Sequence, residues 1–148
     1  MYKRILIPLD GSLLAEQALP HAAALAEHFQ AELILLKVLK PLSINLNLPP
    51  DFVKNHKDAT RKLAGEYLDR VAARLQGKGI FKKIVSVIGR PHEEIVRFAE
   101  AEQVDVVVMC TRGTSVISRW LMGSVTDRVS RSLNVPVLFV RAQKEEEK

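Results

Sequence analysis

VDVVVMCTRGTSVISRWLMGSVTDRV, residues 104 to 129, decides the fold. Val104 to Met109 is an almost unbroken apolar run rich in β-branched residues, the composition of a strand covered on both faces in a parallel sheet. Ligands of open α/β folds collect at the carboxyl end of such strands. Gly123-Ser124-Val125-Thr126-Asp127 reads as a helix entrance, with Ser124 able to cap and Asp127 three residues on, as in a capping box. A helix start presents unpaired N–H groups and the positive end of its macrodipole, which favours an anion. Glycine at 113 and 123 lets backbone approach that anion with no Cβ between. Two readings stand: a phosphate-binding turn, or a loop whose glycines only turn the chain and whose serine only caps its own helix.

Composition narrows the field. A chain of 148 residues with 47% hydrophobic residues fits one domain with a full core. No apolar run approaches the ~20 residues that a membrane span needs, and Met1-Tyr2-Lys3-Arg4 leads straight into a strand. A soluble, cytoplasmic protein is expected. The single Cys110 has no internal disulfide partner, in keeping with a reducing compartment. A net charge of +5 is compatible with phosphate-bearing partners. The charge is dispersed and aromatics are only 5%, so no stacking platform for nucleic acid is visible.

In chain order, Arg4 to Asp10 is a short apolar strand, ended by Pro8 and the Asp10-Gly11-Ser12 turn. From Leu13 the spacing changes to helical, with Leu14, Ala18, Ala22, Leu25 and Phe29 along one face. Glu32 to Val38 is again a buried strand, which completes a βαβ unit. Residues 39 to 50 carry three prolines and read as a loop. Asp51 opens a long helix on which Phe52, His56, Ala59, Leu63, Tyr67, Val71 and Leu75 recur at helical spacing, ended by Gly77-Lys78-Gly79. Lys82 to Ile88 is a third strand. Gly89-Arg90-Pro91 leads into a helix whose first turn suits Pro91, Glu93 and Glu94, with Ile95, Val96, Phe98 and Ala99 on its buried side. Pro136 to Val140 is the fifth strand, and residues 143–148 form a charged, solvated tail after a domain of residues 1–142.

Five strands alternating with four helices predict an α/β three-layer sandwich around a five-stranded parallel sheet. If the first strand lies centrally and the order reverses between strands one and four, the crevice there receives the Asp10 turn and the 110–124 loop together.

These residues also carry a resemblance. Ile5 to Ser12 (ILIPLDGS), Gly89 to Pro91 ahead of a helix, Cys110-Thr111-Arg112-Gly113 followed after nine residues by Gly123-Ser124-Val125, and Pro136 to Val140 together resemble the universal stress protein family over nearly the whole chain. The resemblance implies an adenine nucleotide alpha hydrolase-like fold, with the five strands in the order 3-2-1-4-5. In the ATP-binding branch of that family the loop reads G-x2-G-x9-G-[S/T]; Gly113, Gly123 and Ser124 match its last three fixed places, and Cys110 stands where the first glycine is expected. The implied cofactor is ATP, with Mg²⁺ as a possible companion, held by Pro8, Asp10, Val38, Met109, Cys110, Gly113, Gly123, Ser124 and Val125. Asp10 would contact the ribose or the triphosphate end, Val38 the adenine through its backbone, and Met109 the base or ribose. Gly113, Gly123, Ser124 and Val125 would hold ribose and phosphate oxygens. The resemblance further implies a homodimer that pairs fifth strands, for which the apolar edge Val137 to Val140 gives a physical motive.

Several of these positions keep a plainer reading. Asp10 binds nucleotide, or it caps the helix from Leu13. Cys110 either needs a glycine-like backbone, and then strains or obstructs the loop, or is simply the last residue of a strand, where it packs as a small apolar group. Arg112 and Arg119 clamp phosphates or are solvated loop cations. Trp120, Leu121 and Met122 read as core or interface anchors. His21, His28, His56 and His92 lie on helices or their starts, away from Cys110 in sequence, so no catalytic thiol is indicated. No P-loop, dinucleotide or zinc motif occurs, and no obvious base would activate water against a γ-phosphate. A nucleotide-binding stress-response or signalling module is expected. The alternatives are a dimeric interaction protein that has lost nucleotide and a slow ATP hydrolase.

Overall fold

Strands β1 (Arg4–Leu9), β2 (Glu32–Leu39), β3 (Phe81–Ile88), β4 (Val106–Thr111) and β5 (Val137–Arg141) form one parallel sheet in the order β3-β2-β1-β4-β5. The computed structural model describes residues 1–42, 47–75, 80–111 and 124–143. Helices α1 (Leu13–Glu16), α2 (Leu19–Phe29) and α3 (Pro50–Arg74) cover one face; α4 (Pro91–Ala101) and α5 (Ser124–Ser132) cover the other. Strands buried on both faces must be apolar at every position, not at alternate ones. Ile5, Leu6, Ile7, Leu33, Ile34, Leu35 and Leu36 accordingly have no exposed surface. The α/β class and the strand order follow the sequence-based expectation.

The register of β1 against β4 is pinned by Asp105. Its Oδ2 accepts from the amides of Lys3 (2.7 Å) and Arg4 (2.8 Å), and its own N–H donates to Arg4 O. Ile5 therefore sits opposite Val106, and the carboxyl ends of β1 and β4 arrive side by side.

Several elements differ from their predicted form. The helix expected from Leu13 is two helices, because Pro20 in the first turn of α2 has no N–H and its ring opposes the carbonyl four residues back. Gln17 and Ala18 instead close three-residue turns onto Leu14 and Ala15, both at 3.2 Å. β4 begins at Val106 and not at Val104, since Val104 N–H caps α4 on Ala99 O (2.9 Å). Glu94 is buried, with its carboxylate paired to Arg97 at 2.7 Å and its side chain lying where a Cβ on Gly89 would be. At the β5 edge Leu138 is exposed, whereas Val140 is buried.

The long helix shows the largest shift. At about 1.5 Å per residue its 25 residues span roughly 37 Å, while strands of this sheet cover at most about 27 Å. Part of α3 must overhang, and it is the amino-terminal half. Its buried residues are Ala64, Leu68 and Val71, while Phe52, His56, Ala59 and Leu63, expected inside, are exposed. The Gly77-Lys78-Gly79 stop lies outside the described residues.

α2 and α4 end alike. Gln30 (φ 55°) and Gln103 (φ 51°) adopt the left-handed conformation, and Ala31 and Val104 donate back to Ala26 O and Ala99 O. This is a Schellman ending that normally takes glycine, because a Cβ there is opposed by the carbonyl. Gln103→Gly is expected to raise stability by about 0.5–1 kcal/mol, the strain relieved exceeding the added unfolded-state entropy. Urea titration of the two proteins checks it.

Candidate functional site

β1 stops at Leu9 because the chain must turn, and Gly11 makes that turn with φ +89°, a conformation that L side chains avoid. Asp10 Oδ1 accepts from Ser12 N (2.9 Å) and Ser12 Oγ (2.5 Å), while Ser12 Oγ accepts from Ala15 N (3.1 Å). The N-cap of α1 is therefore Ser12, not Asp10. Asp10 fixes the cap and keeps Oδ2 without a partner among the described residues. Lys37 holds the same turn from β2, its ammonium donating to Asp10 O (3.3 Å) while lying 5.7 Å from the centroid of the Tyr67 ring. Tyr67 in turn donates to Glu16 Oε2 (3.1 Å), and Arg74 pairs with the other oxygen of Glu16. Burial, then this contact with Glu16, pushes the Tyr67 phenol up, so it stays a donor.

On the neighbouring strand end, Cys110 lies inside β4 opposite Val140. It is ordinary extended backbone, so the cysteine in the first motif place carries no left-handed strain. Burial pushes its thiol up; the backbone of Ala18 opposes this, and the Asp10 carboxylate adds to the rise. The thiolate is the reactive form. Alkylation of this single cysteine by iodoacetamide at pH 7.5 is expected to run about tenfold slower than that of an unhindered cysteine and to accelerate only at more alkaline pH.

Between these strand ends opens a cavity of about 350 Å³. It lies where the chain order reverses on either side of β1, the crevice in which open α/β sheets bind ligands. Pro8, Asp10, Val38, Met109, Cys110 and Val125, six of the nine site residues expected from the sequence, line it together. Gly113 and Gly123 lie outside the described residues, as do Arg112, Arg119, Trp120, Leu121 and Met122 and the hydroxyl of Ser124. The Asp127 carboxylate, expected to complete a capping box, is engaged by Arg131 Nε one turn on at 3.2 Å.

The lining also includes Leu36, Lys40, Pro91, Ile95 and Thr126, which the sequence did not single out as site residues. Pro91 and Ile95 stand one turn apart at the start of α4. The sequence marked this helix entrance at Gly89-Arg90-Pro91 but not its place at the same sheet edge. Two helix starts therefore border the cavity, α4 at Pro91 and α5 at Val125. Arg90 makes no side-chain cap, so the first-turn amides of α4 and the positive ends of both dipoles remain for an anion. Lys40 adds a cation, and Leu36, Ile95 and Met109 give an apolar wall. Among the described residues no group of three His, Cys, Asp or Glu side chains could hold a metal ion, and no helix is long and apolar enough to cross a membrane.

Comparison with known proteins agrees with this geometry. The universal stress protein family matches residues 1–141. The chain is 35% identical to universal stress protein MJ0577 of Methanocaldococcus jannaschii, over 95% of this chain and 96% of that one. The solved structure of MJ0577 is similar with a TM-score of 0.83 at 36% identity, covering 98% and 99% of the two chains. A universal stress protein solved in complex with cAMP is similar at 25% identity with a TM-score of 0.66, over 95% and 97%. With the family matched from the first residue to 141 and a relative this alike over almost its full length, the chain belongs to the universal stress protein family.

Proposed function

We propose that the cavity at the β1/β4 switch point binds an adenine nucleotide, ATP first among them, and that the protein acts as a nucleotide-responsive, cytoplasmic stress or signalling module. One observation carries this reading: Pro8, Asp10, Val38, Met109, Cys110 and Val125, from four separate elements, line a single cavity onto which two helix starts open. A volume of 350 Å³ falls within the roughly 300–1,000 Å³ of ordinary ligand sites. The residues fit the group. Leu36, Val38, Ile95 and Met109 suit a base, the free Asp10 Oδ2 suits a ribose hydroxyl or a Mg²⁺ ion, and the helix starts with Lys40 suit phosphates. The relative solved with cAMP, another adenine nucleotide, supports the ligand class.

Binding is the proposed activity, not efficient turnover. Phosphoryl transfer to water needs a group that orients or deprotonates the water. Asp10, the one carboxylate among the described lining residues, already has Oδ1 committed to Ser12. Homodimerisation through β5 belongs to the same proposal: β5 is a sheet edge with Leu138 39% exposed, and an open edge invites pairing with a second copy.

Mass spectrometry of the denatured, freshly purified protein tests the ligand. An adenine nucleotide released in stoichiometric amount, and a higher melting temperature with Mg·ATP, are the expected results. Absence of both favours an interaction protein without nucleotide. Mg·ATP is also expected to slow alkylation of Cys110, which would lie beneath it.

A further inference from the structure

The overhanging half of α3 is not idle surface. The stripe that buries Ala64, Leu68 and Val71 continues toward the amino terminus through Thr60, Lys57 and Val53, at spacings of three and four residues. Where that stripe passes the carboxyl ends of β2 and β3 it does not pack. It leaves a second hollow of about 210 Å³. Leu39, Val53 and Ile88 supply apolar walls, while Lys40 and Lys57 supply the charged groups; His56 also borders it, with its ring stacked on Phe52. Among the described residues no carboxylate lines it and neither lysine has an acidic partner. Thr60 Oγ1 spends its proton on His56 O (2.7 Å), so the two lysines are the charged side-chain donors that remain.

From this we infer a second binding site, distinct from the nucleotide cavity, for a small carboxylate with a short hydrocarbon body. Two lysines that line one hollow, with no acidic partner among the described residues, repel each other, and an anion relieves that. The walls are mainly apolar, so a bare inorganic anion would leave them wet, whereas a short chain covers them. The hollow equals about seven water molecules at ~30 Å³ each, which sets the ligand at about seven to ten heavy atoms. Lys40 lines both cavities, so a carboxylate here takes part of its charge away from the first.

Hexanoate, with eight heavy atoms, is the probe. Titrated into the full chain and followed by amide ¹H–¹⁵N spectra, it is expected to shift Val53, Lys57 and Ile88 saturably, with a Kd on the order of 1 mM, as suits so small a ligand. Lys57→Glu is expected to weaken hexanoate about tenfold and Lys57→Met by about half as much on a logarithmic scale, both leaving Mg·ATP affinity within about twofold. Hexan-1-ol or inorganic phosphate binding there as tightly as hexanoate overturns the inference, as does an affinity for hexanoate that neither substitution changes. The inference does not rest on the nucleotide reading: saturable hexanoate shifts in a protein indifferent to Mg·ATP would sink that reading alone.

Discussion

Val38→Trp is expected to weaken Mg·ATP binding on the order of 100-fold while the protein stays folded. Val38 lines the 350 Å³ cavity from the carboxyl end of β2 and is only half-buried, so an indole placed there extends into the hollow. Overpacking of a closed core costs about 1–3 kcal/mol. At this rim the open volume takes up most of the added atoms, and the melting temperature should fall by only a few degrees. Calorimetric titration with Mg·ATP, beside a melting curve for each protein, separates the two effects. An unchanged affinity in a folded variant would place the nucleotide elsewhere and remove the main support for the proposed function.

The second large effect concerns α3. Leu68→Ala is expected to destabilise the protein by about 2–5 kcal/mol, because Leu68 is 1% exposed and its removal leaves a cavity between α3 and the sheet. Leu63→Ala, five residues earlier on the same helix, should change stability by no more than about 0.5 kcal/mol, since Leu63 is 66% exposed. For a domain of this size each kcal/mol moves the melting temperature by about 2–4 °C, so the pair should differ by roughly 3–20 °C. A larger loss at Leu63 than at Leu68 would mean that the helix packs in the phase that its apolar spacing first indicates.

That contrast shows why the phase of α3 was not legible. Phe52, His56, Ala59 and Leu63 form one stripe; Val53, Lys57, Thr60 and Ala64 form the next, about 100° around the helix. Both satisfy helical periodicity, and the more apolar one lies outward over the overhang. The buried stripe is recognisable only from Ala64 onward, where β2 and β3 lie beneath it. A second silent feature was the Asp10 turn. Aspartate and serine are both good caps, and two residues of sequence separation do not tell which one bonds the helix and which one bonds the cap.

What the sequence by itself determined is the class of the sheet; its order and six residues of the cavity lining came through the family resemblance that the sequence carries. Unbroken apolar strands demand cover on both faces, alternation with helices demands parallel pairing, and the spaced glycines and serine mark a helix entrance that faces the strand ends. Tertiary structure alone decided the rest of that lining and the second hollow. Leu36, Ile95 and Thr126 look like any other core-facing residues until Asp105 sets β1 beside β4 and their ends are left open. Lys57 and Lys40 are seventeen residues apart on the chain. Only a helix longer than the strands it covers brings them to one cavity, because whatever extends past a sheet has no core to pack against.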